Sequence, residues 1–443
     1  MQKKLLSGLF WLLLANLIVK PLWLLGVEVE VQNAVGNEMY GFYFAVFNLA
    51  YIFNILLDLG ITNFNTRNIA QHPQLIQKHL SGILGIKLCL VGLYLVVTFT
   101  VGTLLGYGSQ EFRLLAWLTV AQTLNSLILY LRSNFEGLLL FRWDSLFSVL
   151  DRVLMILICG TLLWSPLRDG FNIMWFVYAQ VTAYALTALL ALAVIGRKTR
   201  LCRLRWNRRF FLVILKQSAP FALLVLLMAS YNRIDPILLR RLACDADAGV
   251  YAGAFRLLDA LSMVAYLVSV ALLPVFSRLC VEDDRRGITD ATRLVFWPLM
   301  LFAIGSAVAC SVWAGPLMRL LYHADYAPYV PVFRVIIFGF IPISLTYIFG
   351  TLLTAGGHLR KLNLLAGITL VLNVVINLLL IPRLGATGSA WASLTAQSFM
   401  ALAQVVLAIR LFNLPTAAFR LPRLADLKEA RLFIPDKRPD SAR

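Results

Sequence analysis

Two charged pairs lie within apolar stretches in the second half of this sequence. Arg233 and Asp235 end one apolar run, and Arg256 and Asp259 lie inside the next. Charged side chains at membrane depth are costly, so they usually face a protein interior or a water-filled cavity. Arg256 and Asp259 are three residues apart and share a helix face, which predicts contact between them. The pair is either an internal ion pair that neutralises itself or part of a cavity wall that meets an anionic substrate.

The first half contains a related arrangement. The segment 40–44 (YGFYF) parallels 251–255 (YAGAF), and Asn48 follows Tyr40 at the distance that separates Asp259 from the second tyrosine. In the second half, a proline follows Asp235 and predicts a broken helix end at that point. Broken helices beside charges mark substrate sites in transporters that are built from internal repeats. We therefore expect two related halves around a polar cavity.

Further polar side chains on predicted membrane helices extend the candidate site. Lys20 interrupts the first apolar run, where it either lines the cavity or extends to the membrane surface. A polar stripe on the second helix runs from Asn48 to Asp58 at helical spacing. Arg67 follows that helix and is either a membrane anchor or a gate. The candidate cavity residues are Lys20, Asn48, Asp58, Arg67, Arg233, Asp235, Arg256 and Asp259.

The composition is that of a membrane protein. The chain has 443 residues, 60% hydrophobic and 14% charged, and its mean hydropathy is +0.79. Soluble domains average about 45–50% apolar and about 25% charged residues. Apolar runs of roughly 20 residues recur along the chain, which is the length that a bilayer core requires. The predicted fold class is an all-α polytopic membrane protein, with about 12 transmembrane helices in two pseudo-symmetric six-helix bundles around a central cavity.

The distribution of positive charge gives the expected orientation. The net charge is +18, but Lys and Arg concentrate in alternate loops, so the charge indicates membrane topology and not nucleic-acid binding. This pattern places both termini in the cytoplasm. The most basic segment, 197–210, separates the two halves. The predicted domains are an N-terminal bundle (1–196), a basic cytoplasmic linker (197–211), a C-terminal bundle (212–410) and a cytoplasmic tail (411–443).

The predicted helix boundaries place each charge at a depth. Helices are expected at about 5–27, 41–62, 80–105, 112–133, 145–164, 172–195, 212–239, 251–275, 292–313, 331–353, 364–381 and 387–410. Arg256 then lies roughly 8 Å from the outer end of its helix. Asn373 and Asn377 share a face of the eleventh helix, and we expect them to form interhelical hydrogen bonds.

Motifs for catalysis and for cofactor binding are missing from the sequence. The phosphate-binding pattern GxxxxGK[ST] does not occur, which argues against ATP hydrolysis by this chain. The four histidines are scattered without metal-ligand spacing, and the six cysteines do not suggest a disulfide framework. We therefore expect neither an enzyme nor a bound metal or cofactor.

Several short motifs, taken in order, resemble one family. Gly36-x-x-x-Tyr40-Gly41 leads into 58–60 (DLG), followed by 249–256 (GVYAGAFR) and 381–390 (IPRLGATGSA). With an Asn-rich eleventh helix, this series resembles the polysaccharide flippases, the O-antigen and capsule exporters of the multidrug/oligosaccharidyl-lipid/polysaccharide superfamily. The resemblance covers about 1–410. One departure is Gly-Ser-Ala at 388–390 in place of the usual Gly-Ala-Ala.

The resemblance implies a transport function. It implies two bundles that form a V around a cationic cavity, and export of undecaprenyl-diphosphate-linked oligosaccharides across the bacterial plasma membrane for lipopolysaccharide or capsule synthesis. Lys20, Arg233 and Arg256 would offset the desolvation of the diphosphate, and the halves would rock to expose it on the other side. The implied partners are the lipid-linked oligosaccharide, membrane lipids, and a polysaccharide polymerase with its chain-length machinery. The similar murein lipid II flippases usually carry two further helices.

Two other functions stay open at this stage. A cation-coupled drug exporter of the same superfamily would have an acidic, aromatic cavity. A membrane-embedded polysaccharide polymerase or transferase would have a large outer loop with paired catalytic carboxylates, whereas the predicted outer loops are short.

Overall fold

The computed structural model describes residues 16, 18–62, 65–66, 69, 76–138, 140–198, 208–415 and 419. This part of the chain consists of helices and their connections, without strands. Nine of the described helices are long and apolar enough to cross a membrane, and one bent pair makes a tenth span. Two of the nine, Ile18–Leu57 and Leu359–Phe412, each consist of two helices joined at a glycine. Divided in this way, the described residues contain twelve spans, of which the first is described from residue 18 onward, and the all-α membrane fold is confirmed.

The spans form two successive sets of six. The N-terminal half contains α1 (18–35), α2 (37–57), α3 (Ile76–Leu104), α4 (Ser109–Gly137), α5 (Arg142–Leu163) and α6 (Ile173–Lys198). The C-terminal half contains α7 (Arg208–Arg233, continued by Asp235–Leu242), α8 (Asp245–Val281), α9 (Arg285–Val312), α10 (Tyr329–Ala355), α11 (359–384) and α12 (386–412). Each half has its own hydrophobic core, around Met155 and Phe176 in the first and around Phe333 and Phe349 in the second.

Gly36 and Gly385 reverse the chain between neighbouring spans. Gly36 has φ +80° and Gly385 has φ +53°, in the region that side chains with a Cβ rarely adopt. Each glycine turns the chain without a longer loop. The connections after α1, α3, α5, α7, α9 and α11 then lie at one end of the bundle, which we call the distal end. The opposite end, which holds both described chain ends, is the terminal end.

A break in α7 occurs beside the predicted position. Phe221–Arg233 and Asp235–Leu242 meet at a bend of 42°. Pro236 occupies the first turn of the second segment. Proline fits there because backbone N–H groups in the first turn of a helix do not form helical hydrogen bonds. The break turns the Asp235 side chain into the C-terminal half, where it is fully buried.

A wide turn in α1 aligns two of its charges. Residues Trp23–Val27 form a π-helical turn between Lys20 and Glu28. In a regular α-helix, side chains eight residues apart point about 80° away from each other around the helix axis. A π-turn inserts one residue, which changes this angle by about 100°, so the two side chains point within about 20° of each other. The lysine and the glutamate therefore share one face of α1.

The two halves meet tightly at the distal end. A Cβ built on Gly41 of α2 would lie 1.8 Å from the Asp245 carbonyl oxygen, and one on Gly249 of α8 would lie 2.0 Å from the Asn37 carbonyl oxygen. Only glycine permits the backbones of α2 and α8 to approach so closely. Gln32 of α1 adds hydrogen bonds from Nε2 to the Gly249 carbonyl oxygen at 2.9 Å and to the Tyr329 hydroxyl at 3.0 Å.

Three differences from the predicted helices affect the distal end. The helix α1 continues to residue 35 and so contains Glu28, because the two glutamates beyond the apolar run are helix formers with no breaker before Gly36. The helix α8 begins at Asp245, six residues before the predicted start. The connection after α9 includes a further helix, Ala314–Tyr322, which we call the distal helix.

Parts of the predicted domain division lie outside the described residues. The helix α7 begins at Arg208, within the predicted linker 197–211, and residues 199–207 of that linker lie outside the described part. The helix α12 ends at Phe412, close to the predicted start of the tail, and the segment 420–443 is not described.

Candidate functional site

The predicted pair of Arg256 and Asp259 does not form. Asp259 pairs instead with Arg233 of α7, whose Nη2 lies 3.1 and 3.3 Å from the two carboxylate oxygens. The side chains of this pair are 23% and 32% exposed. The guanidinium also lies 5.5 Å from the ring centroid of Tyr51 on α2 and 5.2 Å from that of Phe255. The Arg233–Asp259 pair therefore faces the space between the two halves and remains accessible.

Arg256 occupies a buried position in the distal contact. Its Nη1 donates to the Tyr322 hydroxyl at 2.8 Å, its Nε lies 3.7 Å from Glu28, and its guanidinium lies 4.5 Å from the Tyr40 ring centroid. The side chain is 4% exposed. Because α8 begins at Asp245, Arg256 lies about 17 Å along the helix, instead of the predicted 8 Å. It therefore joins α8 to α1, α2 and the distal helix.

The guanidinium of Arg256 is incompletely satisfied in this arrangement. Neither its Nε nor its Nη2 has a hydrogen-bond partner among the described residues. A buried donor without a partner costs roughly 1–3 kcal/mol, and more for a charged group. The charge of the guanidinium is nevertheless paired, because Glu28 lies 3.7 Å from Nε.

A cluster of charged side chains with three cations lies on the N-terminal half. Lys20 is half-buried on α1, within electrostatic range of Arg152, Arg132 and Asp151. Arg132 Nε binds Asp144 at 2.8 Å, and Arg152 Nε lies 3.5 Å from Asp151. These three cations and two carboxylates make up what we call the basic cluster; Glu28 also lies within electrostatic range of Arg152, and Glu136 lies within range of Arg132.

Lys20 is the only member of the basic cluster among the predicted cavity residues, and Arg152 is one of the members that the prediction missed. Its guanidinium lies 5.7 Å from the ring centroid of Trp23 and 5.9 Å from that of Tyr184. Trp23 in turn donates from Nε1 to Glu28 at 3.0 Å, which connects the basic cluster to the distal contact. In the sequence, Arg152 lies near the start of a predicted helix, close to a basic connection. The available signal was its position inside the helix predicted at 145–164.

Asp235 is enclosed by neutral donors. Its carboxylate accepts hydrogen bonds from Asn377 Nδ2 at 2.8 Å, Asn373 Nδ2 at 3.2 Å and the Tyr251 hydroxyl at 2.9 Å. The predicted interhelical role of the two asparagines is thus confirmed. No Lys or Arg of the described residues forms an ion pair with Asp235. The three donors stabilise the carboxylate, but they are neutral, so no neighbouring cation among the described residues balances its charge.

Residues of the predicted stripe on α2 point in different directions. Asn48 is fully buried and donates from Nδ2 to the Phe44 carbonyl oxygen at 2.7 Å. Asp58 turns into the N-terminal half and pairs with Lys87 Nζ at 3.1 Å. Lys87 also donates to Ser126 Oγ at 2.9 Å, so this lysine, absent from the predicted site, neutralises a carboxylate inside one half. Arg67 lies outside the described residues.

The described residues do not contain a cluster of three or more His, Cys, Asp or Glu side chains that would hold a metal ion. Asp235 is instead a single carboxylate among amides and a hydroxyl. Such an oxygen set suits a proton or a weakly held alkali cation better than a transition metal.

The sequence profile of the polysaccharide biosynthesis protein family matches residues 5–280, and that of the MatE family matches 220–379. The chain belongs to the polysaccharide biosynthesis protein family. Among curated proteins, none matches it.

Solved structures share the fold across nearly the whole chain. The chain is similar to a multidrug resistance transporter of the MATE family in its inward-facing conformation (14% identity, TM-score 0.67, 91% of this chain and 94% of the other). It is also similar to the lipid II flippase MurJ in an inward closed conformation (13% identity, TM-score 0.68, 97% of this chain and 96% of the other). A third similar structure is the Vibrio cholerae MATE transporter VcmN (16% identity, TM-score 0.62, 94% of this chain and 98% of the other). This protein is thus a multi-pass membrane protein of the polysaccharide biosynthesis protein family, and it shares its fold with MATE transporters and with MurJ.

Proposed function

We propose that this protein moves undecaprenyl-diphosphate-linked oligosaccharides across the bacterial inner membrane, for lipopolysaccharide O-antigen or capsule synthesis. The observation that carries the proposal is the basic cluster. Lys20 and Arg152 lie within electrostatic range of each other in a membrane protein, where like charges repel strongly. A diphosphate between them would relieve this repulsion, and arginine binds phosphate oxygens through two parallel hydrogen bonds.

The proposed mechanism needs no covalent step. The described contacts between the halves at Gly41, Gly249 and Arg256 close the distal end, so the head group enters from the terminal end. The basic cluster binds the diphosphate while the prenyl chain stays in lipid. Separation of the distal contact then exposes the head group on the far side of the membrane.

The orientation follows from the positive charge of the terminal end. Both termini are cytoplasmic in this proposal, so the lipid-linked substrate moves from the cytoplasmic leaflet outward, where a polymerase and its chain-length machinery would receive it. Cys202 should then react with a membrane-impermeant thiol reagent only in inverted vesicles, whereas the exposed Cys244 at the distal end should react from outside. Labelling of Cys202 in intact cells with a permeabilised outer membrane would reverse the orientation.

One observation favours a second candidate, a cation-coupled drug exporter. Asp235 has no cationic partner among the described residues, which suits coupling to a proton or alkali cation. The MATE transporters that share the fold are named for multidrug resistance. This candidate predicts export of lipophilic cations, which repulsion by Lys20 and Arg152 disfavours. A membrane polymerase or transferase gains no support from the family and the solved structures that the chain matches, which are transporters and flippases.

A gene deletion separates these candidates. Under the proposal, cells without this gene accumulate lipid-linked repeat units on the cytoplasmic leaflet, and their surface polysaccharide falls. Complementation with the wild type restores it, whereas an Arg152→Ala variant with normal immunoblot levels does so poorly. Normal surface polysaccharide in the deletion strain, together with raised sensitivity to lipophilic cations, would favour the drug exporter.

A further inference from the structure

Three tyrosines surround the Arg233–Asp259 pair. Tyr51 is 39% exposed and Tyr266 is 50% exposed, which is unusual for large rings in a chain that buries most of its tyrosines. The Tyr266 ring packs edge-on against Tyr347 of α10, with 6.1 Å between the centroids and 69° between the planes. Tyr347 is half-buried and lies within electrostatic range of Asp259.

Helix geometry accounts for this grouping. Asp259 and Tyr266 are seven residues apart on α8, so they point within about 20° of each other. Arg233 reaches Asp259 from the broken end of α7, and its guanidinium lies over the Tyr51 ring of α2, which belongs to the other half. The three rings and the ion pair therefore border one part of the space between the halves.

The surface formed by the three tyrosines and the Arg233–Asp259 pair differs from the surfaces that face lipid. Exposed side chains on the spans are mostly aliphatic, such as Leu88, Leu189 and Leu379. A half-exposed Arg–Asp pair directed at lipid would be costly, whereas the same pair beside a polar space is well solvated. The exposed ring faces beside the pair consequently meet the polar space between the halves.

The chemistry of this surface differs from that of the basic cluster. Arg233 and Asp259 neutralise each other, so they create no demand for an anion. They still offer N–H donors and carboxylate acceptors, which together match hydroxyl groups that both donate and accept. Exposed tyrosine rings give flat apolar faces for the C–H faces of a sugar ring. A few placed polar groups on an aromatic wall are typical of small-molecule sites.

We propose that Tyr51, Tyr266, Tyr347 and the Arg233–Asp259 pair form a carbohydrate subsite, separate from the basic cluster that holds the diphosphate. The inference rests on the proposed function and divides the substrate between two walls: phosphate on the N-terminal half and sugar mainly on the C-terminal half. The subsite contributes recognition of the glycan, and the basic cluster contributes recognition of the carrier.

Binding of two lipids tests this division. The purified protein in detergent is titrated with undecaprenyl diphosphate and with the same lipid carrying one N-acetylglucosamine. We expect the wild type to prefer the glycosylated lipid. The Tyr51→Leu/Tyr266→Leu protein should lose about three- to tenfold in affinity for the glycosylated lipid only, which corresponds to the loss of aromatic contacts.

Matched variants make the result specific. Tyr51→Phe/Tyr266→Phe keeps the rings and should keep most of the preference, and Trp391→Leu removes another exposed ring, 47% exposed, and should change neither affinity. Thermal unfolding establishes that each protein is folded. Equal losses for both lipids, an unchanged preference in the leucine variant, or a wild type without preference would each overturn the subsite while leaving the proposed function intact. A wild type that binds neither lipid would overturn both.

Discussion

Two arginines of the C-terminal half lie over tyrosines of α2, yet their surroundings differ. Arg256 is 4.5 Å from the Tyr40 ring centroid and 4% exposed, whereas Arg233 is 5.5 Å from that of Tyr51 and 23% exposed. Residue type does not separate them, since both are arginines beside one acidic side chain and two aromatic side chains. The difference is the approach of the α2 and α8 backbones at Gly41 and Gly249, which encloses the first arginine and leaves the second accessible. Backbone packing thus assigns one arginine to closure and the other to ligand contact.

The largest expected effect comes from reversing the charge at the enclosed arginine. Arg256→Glu would place a carboxylate beside Glu28 and remove the contact with Tyr40, so we expect near-complete loss of surface polysaccharide in the complemented deletion strain. Arg256→Ala should lose most of the export, because a desolvated cation–π contact is worth about 2 kcal/mol. Arg256→Lys should retain part. Arg383→Glu, an exposed charge at the same end, is the control. Full export by a well-expressed Arg256→Glu protein would contradict the closure role.

A smaller effect is expected from the glycine contact itself. In Gly249→Ala the new methyl group would meet the Asn37 backbone, which cannot yield as a flexible side chain does. The distal end should then stay open, with transport reduced roughly tenfold and a destabilisation of about 1–3 kcal/mol. Gly305→Ala adds a methyl group where nothing lies within 4 Å, and it should transport normally. Reactivity of an Asn37→Cys thiol toward an impermeant reagent reports the opening of the distal end. Unchanged reactivity of this thiol in Gly249→Ala would contradict closure of the distal end by the glycine contact.

Two carboxylates, one in each half, extend the comparison. Asp58 is neutralised by Lys87, whereas Asp235 has only neutral donors. Asp235→Asn should preserve folding, because an amide tolerates the same neutral neighbours, but it should abolish the dependence of transport on a proton or Na⁺ gradient. Lys87→Met should leave that dependence intact and lower stability by about 1–3 kcal/mol. Transport in proteoliposomes with imposed gradients measures both, and a gradient response retained in Asp235→Asn would exclude Asp235 from coupling.

The sequence predicted the fold better than the site, for physical reasons. Apolar length and the distribution of Lys and Arg specify spans almost independently of packing, so the twelve helices and the break before Pro236 were predictable. The side chains that a residue contacts depend on the rotation of its helix and on where the neighbouring helices end. Asp259 was assigned to Arg256 by spacing within one helix, but Arg233 reaches it from another. The apolar run predicts that α1 ends at residue 27, before Glu28, but the helix continues past this run. The rotation caused by the π-turn carries no clear sequence signal.

The related segments of the two halves show the same limit. Asn48 and Asp259 correspond in sequence, but Asn48 is buried against its own helix and Asp259 lines the space between the halves. An internal repeat predicts the helix on which a residue lies. It does not predict the neighbours, because the helices that surround α2 and α8 have diverged.

Translocation of a lipid-linked oligosaccharide by the purified protein tests the central claim most directly. Undecaprenyl-diphosphate-linked oligosaccharide is placed in one leaflet of proteoliposomes, and its appearance in the other is followed by enzymatic capture of the glycan. The wild type and Lys361→Ala, which alters an exposed charge at the terminal end, should translocate the lipid, and Lys20→Ala/Arg152→Ala should lose at least about tenfold in rate. A wild type that moves lipophilic cations but not this lipid, or a double variant as fast as the wild type, would contradict the account.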